Sequence, residues 1–292
     1  MTRKQAFIQA RELLTASDIE DASIEAELLL RHTLTINRAE LYTDLNHELS
    51  PEHEKTFWGL IKRRLNGEPS VYITGRREFY GLDFAVDPAV LIPRPESELL
   101  VEKAINLAQN GAISAIAEIG TGCGAIAISL ALNLPAAKIY ATDISAPALE
   151  ITRFNCQQHG VANRIYLLQG DMLDPIPEPV DLIIANLPYV KESELAQAGP
   201  LSFEPPLALN GGKDGLEKIY RLCQQASGKL RPRGYLLLEI GQRQGKPVTA
   251  FLHHLFPSAR IEVTPDLGGT ERVVSLTQNR RDAKIASVSP EF

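Results

Sequence analysis

Cysteine is scarce in this chain, which has only Cys123, Cys156 and Cys223 in 292 residues. Their wide spacing matches neither a zinc-binding pattern nor a disulfide framework, so we expect no metal site and a reducing, cytoplasmic setting. No apolar run approaches the length of a membrane span, and no long apolar segment follows the charges at the N-terminus. We therefore expect no membrane association and no signal peptide.

The chain also lacks a surplus of basic residues. Lys and Arg total 30 against 36 Asp and Glu, which gives a formal net charge of −6 and a pI near 5.6. A large nucleic-acid footprint normally shows as a basic surplus, so we expect no direct nucleic-acid binding beyond a local patch. The chain is 44% hydrophobic and 23% charged, as is typical of a soluble globular protein, and its length suits one large domain plus a smaller one.

Residues 1–70 show the apolar spacing of helices throughout. Ser50 and Pro51 are suited to begin one helix, as a capping side chain and a first-turn proline. We predict an N-terminal helical bundle with a substrate-docking or structural role. The apolar residues at helical spacing are Phe7, Ala10, Leu13, Leu14, Ile24, Leu28, Leu29, Phe57, Leu60, Ile61 and Leu65.

Residues 71–90 are expected to link this bundle to the second domain. Aromatic and β-branched residues alternate with turn signals over 71–86, which predicts a β-hairpin or two short strands. Pro95 then fits the first turn of a helix, where Glu96 and Glu98 are favoured by the helix dipole. Simple capping is the alternative to a functional role for these residues and Arg94.

From residue 114 onward, strands alternate with helices. This alternation predicts an α/β fold with a mostly parallel sheet covered on both faces, in a domain spanning 91–278. Residues 279–292 are polar with little periodicity, so we expect a disordered tail. The predicted strands are 114–119, 138–142, 165–168, 182–185, 234–239, 260–263 and 272–276, and the predicted helices include 124–132, 147–159 and 215–230.

A glycine-rich loop, Gly120-Thr-Gly-Cys-Gly124, follows the first of these strands and opens a helix. Such glycines turn the backbone tightly and bring a ligand to the amide donors at a helix N-terminus. Asp143 ends the next strand, where its carboxylate can accept both hydroxyls of a ribose. The loop and Asp143 predict an adenosine-containing ligand. The spacing Gly120-x-Gly122-x-x-Ala125 also matches a dinucleotide fingerprint, so two classes of cofactor fit.

Asp171 and Met172 follow the third strand, where an adenine ring would lie. The carboxylate can accept from the exocyclic amine, and the methionine can pack on the ring face. Core filling is the alternative role for Met172.

The apolar strand at 182–185 ends in Asn186-Leu187-Pro188-Tyr189, because a proline cannot donate to a sheet ladder. An amide, a carbonyl and a phenol ring are thereby displayed at the carboxyl end of a buried strand, where open α/β sheets bind ligands. The alternative is a strand followed by a proline turn whose tyrosine covers the core.

Together these motifs resemble the class I S-adenosylmethionine-dependent methyltransferases, and more closely the HemK/PrmC family. Members of that family methylate the N5 amide nitrogen of a glutamine in peptide chain release factors. The resemblance runs from the N-terminal helices to about residue 277, and the Arg-Pro-Glu segment combined with the Asn-x-Pro-Tyr motif is specific to the family. The segments that carry it are Tyr72-Ile-Thr-Gly75, Glu78-Phe79, Ile92-Pro-Arg-Pro-Glu-Ser-Glu98, Gly120-Thr-Gly-Cys-Gly124, Asn186-Leu-Pro-Tyr189, Gly211-Gly-Lys-Asp-Gly-Leu216, Glu239-Ile-Gly241 and Asp266-Leu-Gly-Gly269 with Arg272.

The resemblance implies a Rossmann-like, mostly parallel seven-stranded sheet. It also implies methyl transfer from S-adenosyl-L-methionine to the glutamine of the Gly-Gly-Gln motif of class 1 release factors, in translation termination, with S-adenosyl-L-homocysteine as product. We expect a monomer. The implied cofactor-binding residues are Gly120, Thr121, Gly122, Cys123, Gly124, Asp143, Asp171, Met172 and Asn186. The implied substrate-binding residues are Asn186, Leu187, Pro188 and Tyr189, of which Asn186, Pro188 and Tyr189 are catalytic.

Three residues depart from the usual family pattern. Leu187 stands where a proline is usual, Met172 where an aromatic residue is common, and Ser97 where a threonine is usual. Leu187 keeps an extended backbone because it precedes Pro188. We therefore expect the shape of the site to survive.

The strand-end motif also suggests a mechanism. An amide nitrogen is a poor nucleophile because its lone pair is delocalised into the carbonyl. We expect the Asn186 side-chain oxygen and the Pro188 carbonyl to accept hydrogen bonds from the target amide, with Tyr189 packed on its face. Such bonds position the nitrogen and favour the positive charge that develops on it.

Three alternatives are kept open beside this interpretation. A nucleic-acid N6-adenine-type methyltransferase uses a similar tetrapeptide on a flipped base, but the acidic pI and the lack of a basic, aromatic-rich segment disfavour it. A nicotinamide-dependent oxidoreductase would be distinguished by titration with NAD against S-adenosylmethionine. A factor-binding module with a degenerate pocket is disfavoured by the intact Gly120, Gly122, Gly124, Asp143 and Asn186.

Overall fold

The computed structural model describes residues 1–111, 113–197 and 203–279. The chain divides into two compact units, Met1–Arg76 and Arg77–Phe292. Of the tail expected over 279–292, residues 280–292 lie outside the described residues.

The N-terminal unit consists of helices whose starts follow from capping residues. The side chains of Thr2 and Asn37 each accept from the backbone N–H three residues on, and their own N–H groups donate in return to the Gln5 and Glu40 side chains. Ser50 caps the helix that begins with Pro51. The helices are α1 (Arg3–Ala16), α2 (Ala22–Leu34), α3 (Arg38–Thr43), α4 (Pro51–Leu65) and α5 (Ser70–Thr74).

The core of this unit is built from apolar side chains of α1, α2 and α4. Ala10, Leu14, Leu29, Phe57 and Ile61 are buried there, as the helical spacing predicts. The helical spacing also assigned two residues to this buried stripe that are in fact exposed. Leu13 is 46% exposed and Ile24 is 62% exposed.

The β-hairpin predicted over 71–86 is wrong in its first part. Residues 70–74 form α5, which begins after Pro69 and ends at Gly75 in the left-handed conformation, with φ of 70°. Tyr72 and Ile73 are both buried although they are adjacent, which is a helical rather than an alternating pattern. The strands are β1 (Arg76–Phe79) and β2 (Leu82–Ala85), which pair as a two-stranded sheet.

The second unit is an α/β fold with a seven-stranded sheet, which confirms the predicted fold class. The strands, in chain order, are β3 (Ala115–Ile119), β4 (Lys138–Asp143), β5 (Ile165–Gln169), β6 (Val180–Ala185), β7 (Leu230–Glu239), β8 (Arg260–Pro265) and β9 (Glu271–Thr277). Their order in the sheet is β5-β4-β3-β6-β7-β9-β8. The first five strands along that order are parallel, and β9 is antiparallel to both neighbours.

Helices precede and separate the strands of this unit along the chain. They are α6 (Glu98–Asn110), preceded by a 3₁₀ turn at Pro95–Ser97, then α7 (Ala125–Asn133), α8 (Ala146–Gln158), α9 (Glu192–Gln197), α10 (Pro206–Leu209), α11 (Glu217–Lys229) and α12 (Gly245–Leu255). Every residue of β3 is buried, as expected of a central parallel strand. Among the described residues, no helix is both long and apolar enough to span a bilayer.

The register of the sheet sets which loops meet. Ile119, at the end of β3, pairs with Thr142 of β4 on one side and with Ala185 of β6 on the other. Ala185 in turn pairs with Leu238 of β7. The segments that follow these four strands therefore emerge side by side at one carboxyl edge, where α/β sheets bind ligands.

Candidate active site

The glycine loop after β3 adopts a conformation that depends on its glycines. Gly120, Gly122 and Gly124 have φ of 72°, 56° and 85°, in the left-handed region that other residues rarely adopt. The N–H groups of Gly120 and Thr121 both donate to the Thr142 carbonyl at 2.9 Å, which ties the loop to the end of β4. Gly124 caps α7, so the loop leads directly into a helix N-terminus.

Asp143 holds the two neighbouring strand ends together. Its carboxylate accepts from the N–H of Gly122 and from the N–H of Ser145, both at 2.9 Å. Burial raises the pKa of Asp143, while these N–H donors oppose the rise. The carboxylate is therefore fixed at the junction of the glycine loop and β4.

Asp171 and Met172 lie beyond the end of β5. Met172 is 7% exposed and has φ of 48°, and its carbonyl accepts from the Thr142 hydroxyl at 3.0 Å. Asp171 forms an ion pair with Arg221 of α11. The sequence analysis did not foresee that partner, because it lies 50 positions further along the chain.

The Asn186-Leu-Pro-Tyr189 motif is connected to two other segments by hydrogen bonds. The Asn186 amide nitrogen donates to the Ser97 hydroxyl at 2.9 Å, and Ser97 donates to Glu239 at 2.5 Å. The Tyr189 hydroxyl donates to the other oxygen of Glu239 at 3.3 Å. Burial first, and then the Glu239 carboxylate, raises the pKa of Tyr189 to about 12, so the phenol is neutral at ordinary pH.

Glycines pack closely around this motif. A Cβ on Gly211 would lie 2.7 Å from the Pro188 carbonyl oxygen, and one on Gly215 would lie 2.4 Å from the Tyr189 carbonyl oxygen. Gln244 donates to that same Tyr189 oxygen at 3.2 Å. The backbone of the motif is therefore held by close contacts with backbone that only glycine allows.

One cavity of about 210 Å³ joins the glycine loop to the Asn-x-Pro-Tyr motif. Tyr189 and Gly124, which the sequence analysis assigned to the site, are not among its lining residues, and Tyr189 instead packs against the core with its hydroxyl on Glu239. The predicted residues that do line the cavity are Gly120, Thr121, Gly122, Cys123, Asp143, Asp171, Met172, Asn186, Leu187 and Pro188.

Known proteins match this chain over nearly its whole length and theirs. A family model described as the PrmC N-terminal domain matches residues 5–75, and the methyltransferase small domain matches residues 95–199. A release factor glutamine methyltransferase of Moorella thermoacetica is 42% identical over 274 residues, covering 93% of this chain and 97% of that protein. One of Koribacter versatilis is 40% identical and covers 94% and 98%.

The chain belongs to the release factor glutamine methyltransferase family. The hMettl16 catalytic domain, solved in complex with MAT2A 3′UTR hairpin 1, is a structural neighbour with a TM-score of 0.55 and 18% identity. The matched region covers 72% of this chain and 79% of the hMettl16 chain. At this identity the likeness concerns the methyltransferase fold alone.

For a member of this family, the cavity has to suit S-adenosylmethionine, the methyl donor that methyltransferases use in general. Gly120 and Gly122 line the cavity with backbone atoms alone, and Asp143 lies at the end of the adjoining strand, where its carboxylate accepts from the Gly122 N–H. Apolar side chains, including Met172, line the part beside Asp171. These features fit a ligand with a polar amino-acid end, a ribose and a flat base.

Glu118 is a lining residue to which the sequence analysis gave no role. It is the last residue but one of β3, and its carboxyl group accepts from the Thr121 hydroxyl at 2.6 Å. Burial raises its pKa to about 8, with the Thr121 hydrogen bond opposing the rise. An acidic residue within an otherwise apolar strand, two positions before the glycine loop, was the signal available in the sequence. A buried acid with a shifted pKa in the wall of a cavity is typical of functional sites.

Arg94 occupies the N-cap position of the turn that follows it, but its side chain makes no capping bond, contrary to the simpler interpretation of its segment. The turn that follows it has no side-chain cap, and the Arg94 guanidinium pairs with Glu204 at 2.5 Å. The other oxygen of Glu204 accepts from the Ile92 N–H at 3.1 Å. Because Arg94 lines the cavity, this pair joins the Arg-Pro-Glu segment to the residues just before α10.

Proposed function

We propose that the protein transfers a methyl group from S-adenosyl-L-methionine to the N5 amide nitrogen of the glutamine in the Gly-Gly-Gln motif of class 1 release factors. One observation carries the proposal: Asn186 shares a cavity with the glycine loop, and its amide nitrogen is already engaged by Ser97. The amide oxygen is therefore the atom of Asn186 that can accept a bond from a substrate N–H group. Relatives named for this activity match almost the whole chain.

In this proposal, the cofactor occupies the cavity between the glycine loop and β5. Gly120 to Gly124 hold its methionine end, and Asp143 accepts from the ribose hydroxyls. Asp171 and Met172 flank the adenine, although Asp171 must then share its carboxylate with Arg221. When bound, the cofactor supplies an electrophilic methyl group on a sulfonium.

The protein's contribution to the reaction is to orient the target amide. The Asn186 side-chain oxygen and the Pro188 carbonyl accept from its two N–H bonds, which fixes the direction of the nitrogen and favours positive charge on it. Asn186 and Pro188 line the cavity directly. Tyr189 supports the site from beside the cavity, with its ring packed against the core and its hydroxyl on Glu239.

The two units have different roles in this proposal. Residues 1–70 dock the release factor, residues 71–90 form the linker, and residues 91–278 carry out methyl transfer. The protein acts as a monomer in the cytoplasm, where its buried thiols stay reduced. The N6-adenine-type alternative is not favoured, because the relatives that match most of the chain are named for glutamine methylation.

The proposal is tested by an Asn186→Ala variant in methyl transfer to a release factor with labelled cofactor. We expect turnover to fall by roughly two or more orders of magnitude, as for loss of a preorganised charge-stabilising group. Cofactor affinity, measured by calorimetry, should stay within about tenfold, or about 1.4 kcal/mol.

The matched control is Asn133→Ala, which removes an asparagine whose amide nitrogen donates to the Ser129 carbonyl of its own helix and which does not line the cavity. Its turnover should equal that of the wild type. Near-normal turnover by Asn186→Ala would rule out the proposed role of Asn186.

A further inference from the structure

The Ser97 hydroxyl has one proton to donate. The acceptor of that proton determines which way the other hydrogen bonds of this chain run. A serine hydroxyl donates once, and here it donates to Glu239 at 2.5 Å. Toward Asn186 it can therefore only accept, which it does from the amide nitrogen at 2.9 Å. An Asn186 amide turned by 180° would bring its oxygen to a hydroxyl that has no proton left to offer.

We propose that Glu239 is a positioning residue that fixes the orientation of the Asn186 amide through Ser97 while holding Tyr189 with its second oxygen. This inference rests on the proposed function. It adds a residue that touches neither cofactor nor substrate, since Glu239 is not among the lining residues of the cavity. Ser97 does line the cavity and connects Glu239 to Asn186.

Both side-chain oxygens of Glu239 act as acceptors in this bond chain, which requires the ionised carboxylate. Burial raises the pKa of Glu239, while the hydrogen bond from Ser97, the charge of Arg272 and the bond from Tyr189 oppose the rise. It lies at the end of β7 and is 1% exposed, so its charge is costly to bury without partners. The partners present are the hydroxyls of Ser97 and Tyr189, and Arg272 lies near enough to act on it electrostatically. Arg272 is itself held by Asp266 at 3.1 Å.

The position of Glu239 follows from the sheet rather than from nearby sequence. Ala185 pairs with Leu238, so Asn186 and Glu239 are the next residues along two adjacent parallel strands. Ser97 reaches the same point from the turn before α6, 142 positions away from Glu239 along the chain. One carboxylate thereby connects the first and the last residue of the Asn-Leu-Pro-Tyr motif.

If this bond chain orients Asn186, breaking it should impair the chemical step more than binding. Without the Ser97 hydroxyl, the amide can turn and present N–H groups toward the substrate N–H groups, which repels them. We expect Ser97→Ala to lower kcat for release-factor methylation by roughly 10- to 100-fold, as for other small misplacements of reacting groups. Cofactor affinity should change by less than about threefold, and Ser97→Thr, which restores a hydroxyl, should recover most of the turnover.

The matched control is Ser129→Ala, which removes a fully buried serine whose hydroxyl donates to the Ala125 carbonyl within α7. It should leave kcat unchanged. A double-mutant cycle of Ser97→Ala with Glu239→Gln should be strongly non-additive, because both changes break one chain. Additive losses would overturn the proposal, as would an unchanged kcat in Ser97→Ala.

A second readout is independent of activity and separates this inference from the proposed function. The two side-chain amide protons of Asn186, assigned by their loss in Asn186→Asp, should give distinct nuclear magnetic resonance signals in the wild type. One of them should show slowed exchange with water. In Ser97→Ala that protection should be lost, and in Ser129→Ala it should persist. Equal exchange in the wild type and Ser97→Ala would refute the orienting role, whatever substrate the enzyme methylates.

Discussion

Gly211→Ala tests whether the position of the Pro188 carbonyl matters for methyl transfer. A Cβ at residue 211 would lie 2.7 Å from that oxygen, 2.8 Å from the Tyr189 Cα and 2.9 Å from the Gly215 Cα. Ordinary contact begins near 3.4 Å, so the Pro188 carbonyl must move by about 0.7 Å. All three neighbours are backbone atoms, so no flexible side chain can absorb the change.

A displacement of this size at a reacting group can cost on the order of 100-fold in rate. We expect Gly211→Ala to lower kcat by roughly 10- to 100-fold. Gly211 does not line the cavity, so the Kd for S-adenosylmethionine should stay within about threefold. The overpacking should also lower the unfolding free energy by about 1–3 kcal/mol. The assay is steady-state methylation of a release factor, with calorimetry for cofactor binding and a thermal scan to show that the variant is folded.

Gly228→Ala is the matched control for this change. Gly228 lies in α11, and a Cβ there would meet no described atom within 4 Å beyond its chain neighbours and the backbone of its own helix. The same substitution should therefore leave kcat unchanged and raise helix stability slightly. A folded Gly211→Ala variant with wild-type kcat would show that the Pro188 carbonyl need not be placed precisely, and would remove it from the mechanism.

Three further predictions concern the cofactor half of the site and Tyr189. Gly124→Ala places a Cβ 2.7 Å from the Thr152 Cγ2 at a φ of 85°, so Tm should fall and cofactor Kd should rise, as seen by thermal scanning and calorimetry. Glu118 has a pKa of about 8 when folded against an ordinary 4.5, so its protonated form stabilises the fold fully below pH 4.5, and this stabilisation is lost as pH rises to about 8. Relative to Glu118→Gln, the unfolding free energy of the wild type should therefore fall by up to about 1.4 kcal/mol per pH unit between pH 4.5 and 8. A difference in Tm between the two proteins that stays constant over this range would contradict the raised pKa of Glu118. Because the pKa of Tyr189 is about 12, Tyr189→Phe should leave the shape of the pH–rate profile between pH 7 and 9 unchanged. A wild-type rate that changes toward pH 9 in a way that Tyr189→Phe abolishes would contradict this.

The sequence was sufficient to predict the features that depend on local chemistry. Glycines that require positive φ, an apolar strand stopped by Pro188, and Asp143 at a strand end each specify their own surroundings. Parallel alternation then determines that these segments share one edge, because the carboxyl ends of neighbouring parallel strands coincide. The cavity that joins Gly120, Asp143 and Asn186 follows from those two facts.

What could not be predicted depends on contacts between distant residues. Ser97 was noticed only as a departure from the family pattern, and Glu239 only as part of a motif, because their hydrogen bond spans 142 positions. The ion pair of Arg94 with Glu204 spans 110 positions, so the local sequence could not reveal it. Residues 70–74 form a short helix that begins after Pro69 and ends at Gly75. The prediction of a strand there gave more weight to the β-branched residues than to these two boundary signals.

The central claim is that the N5 nitrogen of one glutamine receives the methyl group. The most direct measurement is fragment mass spectrometry of a class 1 release factor after incubation with this protein and S-adenosylmethionine carrying a labelled methyl group. The account predicts one added methyl group, located on the side chain of the glutamine in the Gly-Gly-Gln motif. Label on any other residue, or no label on the factor while the protein binds the cofactor normally, would contradict it.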